Sequence, residues 1–351
     1  MKSKKIELGI TSFGETTPLE ATGKAISHAE RIQNMVEEME LADAVGLDIY
    51  AIGEHHRSDF AVSVPEMVLA AGAVNTKNIR LSSAVTVLSS SDPIRIYQNF
   101  ATLDAISNGR AEIMVGKGSF IESFPLFGYS LDDYYGLFHE KLDMLLEISE
   151  KELLTWEGRL THSVDARGVY PRAVQEKLPI WVATGGSPET AVRTAKMGLP
   201  IAFAIIGGEP RAFKQLIDAY RQIGKQWGHT TEQLQVASHS WGFIAEDNQQ
   251  AVDMYFHPTK QVVDAISKDR PHWQPLTKEQ YLNSVGEYGA MFVGDPKVVT
   301  EKIIKTIETL QLDRFMLHMP IGSLPHEAVL KAIELFGKEV APKVRAYFEE
   351  R

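Results

Sequence analysis

Short apolar segments alternate with longer helical segments along nearly the whole chain. The segments predicted as strands span residues 6–12, 48–53, 79–88, 111–116, 179–184, 200–206, 235–244 and 313–318. Most are continuously apolar, which is typical of parallel strands buried on both faces. Strict strand–helix alternation predicts a parallel sheet. Eight such units favour a closed (β/α)8 TIM barrel over an open doubly wound sheet, so we expect an α/β fold of that kind.

Two stretches interrupt the alternation. We expect one domain over 1–351, because no linker-like composition divides the chain. The stretch at about 156–178 carries turn formers and a short alternating pattern, which predicts a hairpin. The stretch at 269–291 is rich in proline and aromatic residues without a clear period. Long insertions into a barrel are usually functional, and we interpret the second as an active-site lid.

Composition argues against several classes of protein. The net charge is −10 and no basic block is present, which argues against nucleic acid and anionic membranes as partners. The chain has no cysteine, so disulfides, thiolate metal ligands and cysteine nucleophiles are excluded. No signal-peptide pattern follows the start, and no apolar run approaches the roughly 20 residues of a membrane helix. We therefore predict a cytoplasmic protein.

The second predicted strand ends in three ionisable residues, Glu54, His55 and His56. Barrels place their chemistry at the carboxyl ends of strands, and burying such groups is costly unless they are paired or used. Adjacent side chains of an extended strand point to opposite faces, so the two imidazoles are poorly placed to chelate one metal ion. A structural histidine pair and a catalytic histidine both remain, and we favour catalysis because imidazole titrates near neutral pH.

A second group of residues has the composition of an anion-binding turn. After the fifth predicted strand, Gly185 and Gly186 precede Ser187 at a helix N-cap and Thr190 in the first turn. Glycine amides, hydroxyls and a helix N-terminus suit a phosphate, although the same residues also make an ordinary capped turn. Lys117, which lies between two glycines after the fourth strand, either adds positive charge to this site or is simply solvated.

Two further histidines, His239 and His318, lie on the seventh and eighth predicted strands. Each either faces the barrel mouth, where it would contact substrate or support the site, or is a satisfied core residue. We keep both as supporting candidates and predict no metal site, because no ligand spacing typical of a metal is present.

The order and spacing of these motifs resemble the bacterial luciferase-like flavin monooxygenase family over about residues 5–340. Each motif alone is weak, whereas the combination is specific. The matching stretches are Glu54-His55-His56, Ala84-Val85-Thr86-Val87-Leu88, Asp92-Pro93, the segment from Leu103 to Arg110, Gly116-Lys117-Gly118, Phe127-Gly128, the turn from Gly185 to Thr190, Gly198-Leu199-Pro200 and Gly294-Asp295-Pro296.

The resemblance implies a barrel that binds reduced FMN, without covalent attachment, at its C-terminal mouth. O2 would add to the flavin C4a, and the resulting hydroperoxide would oxidise the substrate. His55 would lie beside the isoalloxazine and assist this chemistry, while Glu54 orients the histidine pair and His56 is structural. Ala84, Val85 and Thr86 would lie against the ring, with a cis peptide bond between the first two.

The resemblance also implies which residues hold the flavin phosphate. Ser187, Thr190 and the amide of Gly186, next to Gly185, match the family's phosphate site. Lys117 stands where luciferase has an arginine, which keeps the charge and loses the bidentate geometry. The insertion at 269–291 falls where luciferase has a mobile loop.

We therefore predict an FMN-dependent monooxygenase that uses reduced flavin and O2 to oxidise a small organic substrate. Because no dinucleotide-binding fingerprint is visible, a separate NAD(P)H:flavin reductase would supply reduced flavin as a transient partner. The alternatives are an F420-dependent dehydrogenase on the same barrel and a flavin-binding barrel without catalysis. The family commonly forms homodimers through helices near 65–77 and 93–107. Four apolar side chains supply either that face or core: Ile94, Ile96, Tyr97 and Phe100.

Overall fold

A computed structural model describes residues 5–19, 22–118, 120–270 and 273–350. Its strands are β1 (Glu7–Ser12), β2 (Ile49–Ile52), β3 (Arg80–Ser83), β4 (Thr86–Val87), β5 (Ala111–Gly116), β6 (Leu153–Trp156), β7 (Val164–Gly168), β8 (Ile180–Thr184), β9 (Ile201–Ala204), β10 (Val236–Ile244), β11 (Phe292–Gly294) and β12 (Arg314–His318). Eight of them pair in parallel in the order β1, β2, β3, β5, β8, β9, β10 and β12. Because β12 also pairs with β1, the sheet closes into the predicted barrel.

Helices surround the barrel. They are α1 (His28–Ala44), α2 (Pro65–Ala73), α3 (Pro93–Ser107), α4 (Ser123–Phe127), α5 (Tyr134–Glu150), α6 (Pro188–Met197), α7 (Lys214–Gln226), α8 (Asn248–Asp269), α9 (Lys278–Val285), α10 (Pro296–Leu310), α11 (His326–Leu335) and α12 (Ala341–Glu349). Several begin at a side-chain N-cap that satisfies a free backbone amide, as Ser27 does for α1 and Asp295 for α10. Among the described helices, none has both the length and the apolar character to cross a bilayer.

The hydrophobic core has two layers. The larger layer lies between the strands and the helices. A smaller cluster, from six different strands, consists of Ile49, Met114, Trp181, Ala202, Ala237 and Met316. Strand alternation places this cluster inside the barrel, where it forms a packed plug. The predicted helix face over 93–107 contributes to the larger layer, since Ile96, Tyr97 and Phe100 are buried there and Ile94 is partly buried against it.

A buried ion network fills the amino-terminal end of the barrel interior. Arg314 donates to the two carboxylate oxygens of Glu112 at 2.6 and 2.9 Å and pairs with Glu7 at 2.7 Å. Its guanidinium also lies 4.1 Å from the ring centroid of Trp181. The Arg314 and Glu112 side chains are only 2% and 1% exposed. The network occupies one end of the barrel, which leaves the carboxyl end for a cavity.

The third predicted strand, 79–88, is interrupted. The structure divides it into β3 and β4, separated by a cis peptide bond between Ala84 and Val85. The resemblance implied this cis bond, whereas the side-chain pattern of the segment did not indicate a break. β4 pairs with β5 beyond the interruption, so the segment still belongs to the barrel wall.

Both insertions contain regular structure. β6 and β7 form the antiparallel hairpin expected in the first insertion, and the hairpin begins at Leu153, slightly before the expected start at about 156. The second insertion, which showed no period, contains α9 with a capping box made by Thr277 and Gln280. β11 follows it directly and pairs with the end of β10. Residues 271–272 of this insertion lie outside the described residues.

Candidate active site

A cavity of about 580 Å³ opens at the carboxyl ends of the barrel strands. Three members of the barrel plug, Met114, Ala202 and Met316, form part of its apolar lining, and Phe203 and Trp241 add aromatic surface. An apolar cavity of this size with a few convergent polar groups is typical of a cofactor or small-molecule site.

The cis peptide bond between Ala84 and Val85 forms one wall of the cavity. Neighbouring strands approach it closely because they carry glycine. A Cβ added at Gly116 would lie 2.8 Å from a Val85 methyl, and one added at Gly53 would lie 3.1 Å from the Ala84 oxygen. Thr86, the next residue, is fully buried, and its Oγ1 has no hydrogen-bond partner among the described residues. The glycines thus allow the neighbouring chain segments to pack closely against Ala84 and Val85.

The carboxylate of Glu54 connects one histidine to the cis segment. Its Oε1 lies 2.8 Å from Nε2 of His56, and its Oε2 accepts the Val87 amide at 2.9 Å. Glu54 lines the cavity, whereas His56 lies behind it, away from the lining. His55 therefore lines the cavity beside Glu54, and the side chain of Glu54 holds His56.

His55 contacts a different carboxylate. Its Nδ1 lies 3.8 Å from Oε1 of Glu122, which also accepts the backbone amide of His56 at 3.3 Å. Burial acts to raise the pKa of Glu122, but the nearby His55 imidazole and hydrogen bonds from backbone amides outweigh it, so the pKa is lowered. The side chain of Glu54 thus contacts His56, whereas the carboxylate beside His55 belongs to Glu122, which carried no sequence signal.

Aromatic rings surround His55. The centroids of Phe60, Phe120 and Phe13 lie 4.3, 5.2 and 5.4 Å from the centroid of its ring. The imidazole is 8% exposed, and that remaining surface is on the cavity side. The rings hold His55 in one orientation and exclude water from it.

The predicted anion-binding residues come together at another side of the cavity. Nζ of Lys117 lies 3.3 Å from Oγ1 of Thr190, at the first turn of α6. Gly185, Ser187 and Lys117 line the cavity, and Ser187 caps α6 by accepting the Thr190 amide at 3.3 Å. Burial lowers the pKa of Lys117, and Glu189 opposes that shift.

Thr184 was not predicted, yet it organises the glycine turn. Its Oγ1 accepts the amides of Gly186 and Ser187 at 3.2 and 3.1 Å, which holds both N–H groups at the cavity edge. Lys117 also lies 4.5 Å from the ring centroid of Tyr135, a favourable cation–π distance. A hydroxyl, a cation, two amides and a helix N-terminus therefore converge where an anion would bind.

A third set of polar groups, which we name the acidic corner, consists of Glu15, His239 and His318. Nε2 of His318 lies 2.6 Å from Oε1 of Glu15, and its Nδ1 lies 3.2 Å from Oγ1 of Thr11. The rings of His239 and His318 are 5.5 Å apart between centroids. All three members of the corner line the cavity. Glu15 lies in the loop after β1 and was missed, since a single glutamate in a loop carries no pattern.

Two atoms of the acidic corner have no hydrogen-bond partner in the part of the chain that the structure describes. They are Oε2 of Glu15 and Nε2 of His239, and both atoms are buried. Burial, assisted by His318, lowers the pKa of His239 to about 3, so its ring is neutral at physiological pH. Across the described ranges, no three His, Asp or Glu side chains are grouped so as to hold a metal ion.

The family model for luciferase-like monooxygenases matches residues 7–313 of the chain. This protein belongs to the luciferase-like monooxygenase family. A curated relative, N-acetyl-S-alkylcysteine monooxygenase of Bacillus subtilis (strain 168), is 25% identical over 316 residues, which covers 85% of this chain and 90% of the relative. Membership of the family makes the chain an oxidoreductase.

Solved structures of other proteins share the fold of this luciferase-like protein. The monooxygenase RslO1 from Streptomyces bottropensis superposes with a TM-score of 0.84 at 21% identity, over 96% of this chain and 99% of that one. The oxygenating constituent of 3,6-diketocamphane monooxygenase from Pseudomonas putida, in complex with FMN, gives 0.75 at 20% identity, over 97% and 99%. The coenzyme F420-dependent tetrahydromethanopterin reductase of Methanopyrus kandleri gives 0.73 at 19% identity, over 96% and 99%.

Proposed function

We propose that this protein is an FMN-dependent monooxygenase that uses reduced flavin and O2 to oxidise a small organic substrate. The observation that carries the proposal is one cavity lined both by His55 and by the anion-binding residues Lys117, Gly185 and Ser187. A flavin mononucleotide needs this combination, because its phosphate is anionic and its ring is flat and largely apolar. A relative of the same fold was solved with FMN bound.

The residues of the anion-binding side fit a phosphate. Lys117 would contribute a positive charge, and Ser187 and Thr190 would contribute hydroxyl groups. The amide of Gly186 can exchange its bond to the Thr184 hydroxyl for a phosphate oxygen. The N-terminus of α6 adds its partial positive charge at the same place. Lysine binds phosphate as a point charge, without the paired donors of an arginine.

The cis segment fits the ring. Ala84 and Val85 both line the cavity, so the flavin ring could lie against them. Bound reduced flavin would supply the electrons that activate O2. His55 would hold a proton at the imidazole nitrogen that faces the cavity, while Glu122 orients the ring through Nδ1.

Water exclusion is the remaining task of the protein, because a reactive oxygen adduct decays when water reaches it. Phe13, Phe60 and Phe120 already shield His55. We propose that the insertion 269–291 completes the cover, since Arg270 and Trp273 from its first part line the cavity. In this arrangement the protein positions the reactants and excludes water from them.

Two partners belong to the proposal. A cytoplasmic NAD(P)H:flavin reductase would supply reduced FMN transiently. A second copy of the chain would cover α2, where Met67 and Val74 are 70% and 71% exposed and Val64 is 48% exposed. We expect the protein to be a dimer in size-exclusion chromatography with light scattering, and Met67→Glu with Val74→Glu to make it monomeric. A monomeric wild type would refute the dimer.

The function is tested by flavin titration followed by turnover. FMN is expected to bind and F420 to bind weakly, as measured by absorption and fluorescence changes. Reduced FMN bound to the protein should then oxidise a substrate from a screen of aldehydes, alkanesulfonates, long-chain alkanes and amines when O2 is admitted. His55→Ala should retain FMN binding and lose the coupling of flavin oxidation to substrate oxidation.

Three outcomes would contradict the proposal in different ways. Preferential F420 binding, with hydride transfer in the absence of O2, would indicate a dehydrogenase. FMN binding without turnover of any substrate, and without an effect of His55→Ala, would indicate a flavin-binding module. Equal coupling in wild type and His55→Ala would remove that residue from the chemistry while leaving the monooxygenase activity.

A further inference from the structure

The acidic corner formed by Glu15, His239 and His318 is not used by the proposed flavin chemistry. We propose that it recognises the substrate, and that the substrate carries a protonated amine as its principal polar group. The inference rests on the proposed function, because it names the substrate class for the same cavity.

The corner offers acceptor atoms that are not used within the described residues. Glu15 is 6% exposed, and its Oε2 is buried and unpartnered while Oε1 is held by His318. A buried polar atom without a partner is unfavourable, and native structures rarely leave one unless a ligand or water fills the place. Glu15 and His239 both belong to the cavity lining, so the side chains that carry the two unpartnered atoms adjoin any ligand in the cavity.

The corner favours a cationic donor over an anion, because His318 pairs with only one of the two carboxylate oxygens of Glu15 and the other is an unpartnered acceptor. The carboxylate of Glu15 attracts an ammonium group and repels a substrate carboxylate. His239 adds no opposing charge, because its ring is neutral, and its Nε2 can accept a hydrogen bond. The anion-binding residues around Lys117 are a separate set, already assigned to the phosphate. The cationic Lys117 and the carboxylate of Glu15 thus belong to two separate groups of lining residues.

The corner is also rigid and partly aromatic. Thr11 and Glu15 hold the two nitrogens of His318, so the Glu15 carboxylate has a fixed position. Glu15 is further fixed by a backbone bridge to Phe60. The ring of Phe13 lies 4.4 Å from His318 and 5.6 Å from His239, between centroids, and would contact an ammonium favourably. Trp241 and Met316 provide apolar surface for the rest of the substrate.

The test uses four probes that share one ring and differ in the polar group: benzylamine, benzyl alcohol, toluene and benzoate. Their affinities are measured by ligand-observed NMR on the FMN-loaded protein and on the protein alone. We expect benzylamine to bind tightest, benzyl alcohol next, and benzoate weakest. Glu15→Gln should weaken the binding of benzylamine by about tenfold or more, because the negative charge that attracts the ammonium is removed. The affinity for toluene, which has no polar group, should not change.

Two further variants keep the test decisive. His239→Leu removes the second acceptor and should weaken the binding of benzylamine and of benzyl alcohol by similar factors. Ser238→Ala, a buried neighbour on β10 outside the cavity lining, is the matched control and should change none of the affinities. If Glu15→Gln fails to fold, the order of the four probes on the wild type and on His239→Leu still decides.

Tighter binding of benzoate than of benzylamine would overturn the inference, as would an unchanged benzylamine affinity in Glu15→Gln. Equal binding of all four probes would show that the cavity selects by shape alone and would also overturn it. FMN binding is followed separately by absorption. FMN binding without an amine preference therefore refutes this inference alone, and an amine preference without FMN binding refutes the proposed function alone.

Discussion

Replacing Lys117 with methionine is expected to weaken FMN binding by about tenfold to a hundredfold. Methionine keeps an unbranched side chain against Tyr135 but removes the ammonium that lies 3.3 Å from Thr190 Oγ1. A hydrogen bond to a charged group contributes about 1.5–3 kcal/mol, and each 1.4 kcal/mol is about a factor of ten in Kd. Because Lys117 is only half-buried, solvent screening places the loss toward the lower end of that range.

The companion variant, Ser187→Ala, removes a phosphate donor and also the N-cap of α6. The cap alone contributes about 1 kcal/mol to stability. Ser27→Ala is a matched control, because it removes a serine cap from α1 and should lower stability by a similar amount without changing FMN affinity. Ser187→Asp keeps a residue suited to the cap and places a negative charge near the phosphate, so it should lose FMN affinity while remaining folded.

The assay is a fluorescence titration of each variant with FMN and with riboflavin, which lacks the phosphate. The loss in Lys117→Met should appear for FMN and be nearly absent for riboflavin, since the ring contacts are unchanged. Equal losses for the two ligands would refute the phosphate assignment and indicate a general disturbance of the cavity. Unchanged FMN affinity in Lys117→Met and Ser187→Asp would remove both residues from the binding site.

Three further predictions concern stability and titration. Arg314→Met should cost about 3–5 kcal/mol in urea unfolding because it leaves Glu112 charged and buried, and adding Glu112→Leu should recover much of that loss; strictly additive losses would contradict this. The pKa of Glu122 is lowered on folding, so its contribution to stability is present above its unfolded pKa and is lost as pH falls through the folded value. Thermal unfolding should therefore be less sensitive to acid in Glu122→Gln than in the wild type, and identical sensitivity would contradict the pairing with His55. NMR of the His239 ring should show the neutral form throughout about pH 5–8, since its pKa is about 3, and a transition in that range would contradict its burial.

The barrel was predictable because its strands are buried on both faces. Apolar runs of that kind stand out against amphipathic helices, so all eight barrel strands were located. The features that could not be predicted from the sequence are local ones. The break in the third strand is a backbone conformation at Ala84-Val85, which no side-chain pattern encodes. The helix α9 was missed because eight residues, Lys278–Val285, are too few to establish a helical period.

The site was predictable where several residues of one segment act together. Ser187 and Thr190 share a helix turn, and Glu54 with His55 shares a strand end, so each set formed a readable motif. Residues that contribute singly from loops were missed, since Glu15 and Glu122 meet their histidines only through the closure of the barrel. The two histidines late in the chain, His239 and His318, could be placed on strands but not given a partner before the structure.

A crystal structure of the protein with FMN tests the central claim most directly. The account predicts the phosphate within hydrogen-bonding distance of Lys117 Nζ and Ser187 Oγ. It also predicts the isoalloxazine against the Ala84-Val85 wall, with the His55 ring beside it. A phosphate found at the acidic corner, next to Glu15, or a ring turned away from His55, would contradict the claim that this cavity is built around FMN.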